Sequence, residues 1–132
     1  MIIQLDLESE NPIYQQLVNA IIEGIATRQL APGEPLPSVR AMASDLGINM
    51  HTVNKAYQIL KNNGYLLIHR QKGVVINPQI PSANDAFMAK MRDDLNPIIN
   101  EAACRGMEES QFLDFCQSLF QSLKNKRGET SG

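Results

Sequence analysis

Apolar and polar positions alternate with helical spacing in five stretches of this chain. In the first, Asn11 and Pro12 suit a helix cap and the first helical position. Tyr14, Leu17, Val18, Ile21 and Ile25 then mark one face up to about Thr27. A shorter pattern follows Pro37-Ser38, where the Ser38 hydroxyl suits the exposed amides of a new helix; Val39, Met42, Ala43 and Leu46 form its apolar face. Gly47 ends that helix and Asn49 caps a third, whose inner positions are Val53, Ala56, Tyr57 and Leu60. The opposite face of the third helix carries Met50, His51, Thr52, Asn54, Lys55, Gln58 and Lys61, polar and partly basic apart from Met50. Two short helices around a glycine turn, the second with an exposed polar face, are the pattern of a helix-turn-helix.

Shorter periods fill in the rest. Ile2 to Leu7 alternates, with Ile3, Leu5 and Leu7 on one side, and reads as a short strand or an extended arm packed on the core. Pro32-Gly33 is a turn, and Pro35 and Pro37 keep the chain extended before the second helix. Beyond Gly64, the apolar runs Tyr65–Arg70 and Val74–Ile76 flank Gln71-Lys72-Gly73 and predict a β-hairpin. Directly after a recognition helix, such a hairpin is a wing. Arg70, Gln71 and Lys72 then sit at its tip, within reach of phosphates or the minor groove.

Asn77–Asn84, with two prolines, marks a linker. A long helix capped at Ser82 or Asn84 follows, with Phe87, Met91, Leu95, Ile98, Ile99 and Ala102 as its apolar stripe; Pro97 inside it predicts a kink or two shorter pieces. Arg105-Gly106 ends it. A last helix starts near Glu108 and carries Phe112, Phe115, Cys116, Leu119, Phe120 and Leu123 on its apolar side. The fold class is therefore mainly α: a winged helix-turn-helix domain (1–78), a two-helix appendage (79–127) and a flexible tail (128–132). Two helices alone make a poor core. They either cover the first domain or pair with the same helices of a second chain, and a homodimer suits a palindromic double-stranded DNA site.

Charge supports the assignment of surfaces. Residues 28–76 hold six Lys/Arg against two acids, whereas residues 1–27 hold four acids and no Lys/Arg, and the whole chain is at -2. Residues 79–132 hold six Lys/Arg against eight acids, so net positive charge is confined to the segment with the helix-turn-helix and wing. Cys104 and Cys116 form no disulfide framework and read as buried small apolar residues. Neither a metal-ligand spacing nor a cofactor motif is present, and no phosphate-cradling loop or nucleophile motif points to an enzyme. The acidic opening MIIQLDLESENP does not read as a secretory leader, and no run of roughly eighteen apolar residues is present, so a cytoplasmic protein without a membrane partner is expected. A winged helix can also serve as a protein–protein interaction module without specific DNA binding.

These stretches resemble the GntR family of bacterial transcription regulators. The resemblance lies in N-P-I-Y-Q-Q-L (11–17), L-A-P-G-E-P-L-P-S-V-R (30–40), A-S-D-L-G-I-N (43–49), T-V-N-K-A-Y-Q-I-L (52–60), G-Y-L (64–66) and R-Q-K-G-V-V-I (70–76). The short two-helix tail is similar to that of the YtrA-type branch. The resemblance implies a ligand-responsive, dimeric repressor, often of a transporter operon. It implies a DNA contact for Arg40, reading roles for Asn49, His51 and Thr52, DNA-facing positions for Asn54 and Lys55, and a wing glycine at Gly73. Two departures stand out: Asn49-Met50 replaces a common basic residue after the turn, and Gln71-Lys72 replaces part of an R-G-x-G run. A small-molecule effector is left open, with sites between the tail helices or around Pro78 to Pro81.

Overall fold

Helix α1 (Ile13–Ala26) starts one residue later than its sequence pattern suggests: Pro12 takes the cap position and its carbonyl accepts from the Gln16 amide at 3.0 Å. Asn11 does not cap it. The Gln16 side chain instead ties down the preceding arm: its Nε2 donates to the carbonyls of Asn11 (2.8 Å) and Asp6 (2.9 Å), and its Oε1 accepts from the Asp6 amide at 2.8 Å. The computed structural model describes residues 3–129, and within that range the arm is not a strand. Ile3 packs half-buried against the core, but Leu7, expected on the same face, is 76% exposed. Ile2 lies outside the described residues. The chain divides after Ile80 into two units.

In the first unit, α2 (Val39–Leu46) and α3 (Met50–Asn62) follow their sequence signals closely. Ser38 Oγ accepts from the Ala41 amide at 3.1 Å, and Asn49 Oδ1 accepts from the His51 amide at 2.7 Å. Gly47 has φ 67°, a left-handed conformation that costs a side-chain-bearing residue energy. It turns the chain so that the Ile48 amide bonds back to the Ala43 carbonyl at 3.0 Å and Ile48 packs against the core. The core gathers Leu17, Val18 and Ile21 of α1, Met42 and Ala43 of α2, and Val53, Ala56, Tyr57 and Leu60 of α3. Tyr57 is buried, yet its hydroxyl donates to the Pro37 carbonyl at 2.8 Å. Burial pushes its phenol above the usual tyrosine range, so it remains a neutral donor.

The wing is an antiparallel pair, β1 (Leu66–His69) and β2 (Gly73–Ile76), with Leu66 opposite Ile76 and His69 opposite Gly73. Gly73 is thus the first residue of β2 rather than part of the loop, and its φ of 72° closes the three-residue tip Arg70-Gln71-Lys72. The other edge of β2 is also paired, which the proline-rich sequence before α2 conceals. Pro35 bridges Val75, the Leu36 amide donates to the Val74 carbonyl (2.8 Å), and the Ile76 amide donates to the Glu34 carbonyl (2.8 Å). A proline is tolerated on such an outer strand because its missing N–H is not needed by the ladder.

The second unit holds α4 (Asp85–Cys104) and α5 (Glu109–Lys126). Asn84 rather than Ser82 caps α4, its Oδ1 accepting from the Phe87 amide at 2.8 Å. Pro97 does not divide α4, which runs as one helix through it. The Asp93 carbonyl that Pro97 cannot bond belongs to an exposed residue, where water can replace the missing donor. The α5 start is supported by the Gln111 side chain, which accepts from the Glu108 amide at 2.9 Å, and Lys124 and Lys126 lie in its last turn, where they complement the helix dipole. No described residue of either helix is buried, and the two do not form a packed pair. Leu95, Ala102, Phe112, Cys116 and Leu123 are half-buried, whereas Phe87, Met91, Ile98, Ile99, Phe115, Leu119 and Phe120 are exposed. Cys104 is exposed too, against the expectation of a buried residue. Of the expected tail, residues 130–132 lie outside the described range. Among the described residues, no helix is long and apolar enough to cross a membrane.

The core of the first unit gives a graded prediction. Leu60→Ala leaves a cavity among α1, α3 and β1 and should cost about 3 kcal/mol. Tyr57→Phe strips the Pro37 carbonyl of its donor and should cost about 1 kcal/mol. Urea unfolding followed by circular dichroism orders the two variants.

Candidate nucleic-acid interface

The outer surface of α3 is built by its spacing. At 100° per residue, His51, Lys55 and Gln58 fall on one stripe, and Met50, Asn54 and Lys61 on a second beside it. All six are exposed, while Thr52 is half-buried on the flank. The core residues Val53, Ala56, Tyr57 and Leu60 hold the helix from beneath, so both stripes are presented on a rigid element. The tip of α3 is fixed by Asn49. Its side-chain oxygen is committed to the His51 amide, which leaves its NH2 as the group free to donate outward.

Cationic groups flank this surface. Arg40 is exposed in the first turn of α2, and Arg70 and Lys72 are exposed at the wing tip with Gln71 between them. Among the described residues, none of Arg40, Lys61, Arg70 and Lys72 enters an ion pair; in particular Arg40 is not paired with Asp45. Lys55 is the exception to this open arrangement. Its Nζ stands 3.9 Å from the centroid of the Tyr14 ring, at the start of α1. That contact couples α1 to the edge of the recognition face, and a cation–π pair of this kind contributes about 0.5–1 kcal/mol at an exposed site. From the sequence, Tyr14 either packs on the apolar face or shows its hydroxyl at the surface; no local pattern signals a partner so distant along the chain.

This arrangement suits a duplex. Short polar side chains project at the front of one helix, and positive charges sit before and after it, where phosphates border a groove. It offers nothing to hold a metal: no group of three or more His, Cys, Asp or Glu clusters among the described residues.

Comparison with known proteins agrees with this geometry. Residues 13–76 match the family model for bacterial regulatory proteins of the gntR family. The solved structure of YtrA from Sulfolobus acidocaldarius, a GntR-family transcription factor, is 40% identical, with 79% of this chain and 99% of that chain covered at a TM-score of 0.62. The chain belongs to the GntR family. This GntR protein is also 28% identical to the transcriptional repressor YtrA of Bacillus subtilis, over 92% of its own length and 95% of that relative's. The structure of a transcriptional antiterminator from Listeria monocytogenes EGD-e superposes with a TM-score of 0.86 at 26% identity, covering 100% of this chain and 98% of that one. The GntR chain is thus a helix-turn-helix transcription regulator of the YtrA type that binds DNA, and not an enzyme.

Replacing Asn49 with Ala removes the cap at the tip of α3 and should lower stability by about 1 kcal/mol. Amide hydrogen exchange should show the loss concentrated at His51, Thr52 and Val53, whose amides bond to Asn49 and whose protection falls while that of Leu60 follows only the global change.

Proposed function

We propose that this protein is a homodimeric repressor that occupies a palindromic operator in the cytoplasm, with a transport-related operon as its target. The observation that carries this reading is the open face of α3, bordered by Arg40 and by Arg70 and Lys72, cations that no ion pair occupies among the described residues. In this reading His51, Thr52 and Asn54 meet base edges, with the Asn49 NH2 beside them. Arg40, Lys55, Lys61, Arg70 and Lys72 neutralise phosphates, and Gln71 and Gly73 let the wing tip approach the backbone. The repressor sign rests on the YtrA relative from Bacillus subtilis, which aligns over nearly its whole length. The transport-related target rests on the resemblance to the YtrA-type branch.

The homodimer rests on the second unit. Phe87, Met91, Leu95, Ile98, Ile99 and Ala102 of α4, with Phe112, Phe115, Cys116, Leu119, Phe120 and Leu123 of α5, form apolar stripes that no described residue covers enough to bury. Contiguous apolar surface of this kind marks an interaction site. A second copy supplies stripes of matching chemistry, and two copies bring two reading heads to two half-sites.

Titration at fixed salt against the protein's own promoter region and against scrambled DNA tests the function. Affinity for the promoter should exceed that for scrambled DNA by roughly 10³-fold or more. Equal affinity for the two overturns specific regulation. Lys72→Gln should weaken binding to both duplexes alike and reduce the slope of log affinity against log salt by about one. Sedimentation tests the dimer: Leu119→Asp places a charge in the α5 stripe and should yield monomers, while the separately packed first unit keeps its urea unfolding midpoint.

A further inference from the structure

Met50 is an anomaly on a surface otherwise made of hydrogen-bonding groups. It opens α3 at the residue after the Asn49 cap, and it remains 44% exposed. The core does not claim it: Ile48, on the other side of the cap, is the apolar residue that packs inward, and the inner face of α3 begins at Val53. A flexible thioether at the leading end of a helix that enters a groove is among the side chains placed to meet base edges. It has no donor and only a weak acceptor, so hydrogen-bond readout is closed to it. The one strongly apolar feature of the major groove is the C5-methyl group of thymine. Met50 also lies four residues before Asn54, so the two side chains are neighbours on one stripe. An asparagine suits the N6/N7 edge of adenine, and one helical turn separates their reach by about one to two base-pair steps.

We propose that Met50 is a specificity-determining residue that reads a thymine methyl in each half-site, next to a base pair read by Asn54. The proposal rests on the reading of α3 as the major-groove helix. Contact with a methyl group has a distinctive consequence, because replacing thymine by uracil deletes that methyl and leaves every hydrogen-bonding group in place.

The test begins with selection of random 30-base-pair duplexes on the full-length protein. The enriched sequence is then prepared with deoxyuridine at each thymine in turn, both half-sites changed together, and binding is titrated at one stated salt concentration. The wild type should lose about fourfold per methyl, and so on the order of tenfold for two half-sites, at one symmetric position. Met50→Ala should bind the thymine and uracil duplexes equally at that position. Thr52→Ser, which removes the other side-chain methyl at the front of α3, should retain the discrimination. Met50→Arg should exchange the preference for thymine at that position for guanine, whose O6 and N7 accept both guanidinium donors. Met50 is exposed, so these variants should keep the wild-type unfolding midpoint within a few degrees. Wild-type indifference to uracil at every thymine overturns the proposal and leaves the DNA-binding reading intact. So does discrimination that survives in Met50→Ala or vanishes in Thr52→Ser. Failure to enrich any sequence overturns the major-groove reading itself, and the proposal with it.

Discussion

A single part-buried hydrogen bond, from the hydroxyl of the buried Tyr57 to the Pro37 carbonyl, sets where the recognition helix lies. The phenol comes from the inner face of α3, and the carbonyl belongs to the extended segment before α2. That same segment is bonded along β2: Gly33 donates to Ile76, Ile76 donates to Glu34, and Leu36 donates to Val74. One residue past Pro37, Ser38 caps α2 and so places Arg40 in its first turn. The segment 33–38 therefore fixes the reading helix, the wing and the flanking arginine against one another. An unbonded buried phenol would cost about 1–3 kcal/mol, so the bond also specifies one packing of α3 over its neighbours.

The parts of this design that local chemistry dictates were legible in the sequence. Ser38, Asn49 and Asn84, the last being one of two candidates with Ser82, cap their helices because their side-chain oxygens reach amides two or three residues on, a property of three or four consecutive residues rather than of the fold. Val53, Ala56, Tyr57 and Leu60 were readable as one face from periodicity alone. Contacts between distant segments were not readable. The pairing of Glu34–Leu36 with β2 hides behind prolines that discourage a strand assignment, and the contact of Lys55 with Tyr14 depends on how α1 crosses α3. Gln16 displaced Asn11 as the organiser of the α1 start because a longer amide reaches three backbone groups at once. Of the two outcomes that Pro97 predicts, a kink or two shorter pieces, the second does not occur: a proline removes one bond, and the remaining turns of a 20-residue helix continue past it.

The two units obey different rules of stability. The first buries its apolar residues around Leu17, Ile21 and Leu60, each fully inaccessible to solvent. The second leaves Phe115, Leu119 and Phe120 more than half exposed, so its helices gain little from burial within their own chain. Local devices hold them instead: the Asn84 cap, the Gln111 bond to the α5 start, and the i,i+4 pairs of Lys90 with Asp94 and Arg105 with Glu101. Exposed pairs of this kind contribute little individually. The proposed dimer would supply the missing burial and would make the stability of this unit depend on protein concentration. It would also convert engagement of a second half-site into an intramolecular step, raising operator affinity without any new contact by either recognition helix.

Charge placement limits where DNA can touch the protein. The chain is net negative, with acids at Asp6, Glu8 and Glu10 in the arm and no Lys or Arg before Arg28. Long-range attraction to a polyanion is therefore weak, and screening at physiological salt confines what remains to about 8 Å. Of the three segments 1–27, 28–76 and 77–132, only the middle one, with six cations against two acids, carries a net positive charge. Arg40 and the wing residues Arg70 and Lys72 lie within it, on either side of the α3 face in sequence. Phosphate attraction spread over a whole surface favours every duplex equally and dilutes discrimination. In the proposed binding mode, restricting it to the borders of one helix would make electrostatic gain conditional on docking that helix, so that base-edge complementarity along Met50–Lys61 would decide which duplex is held.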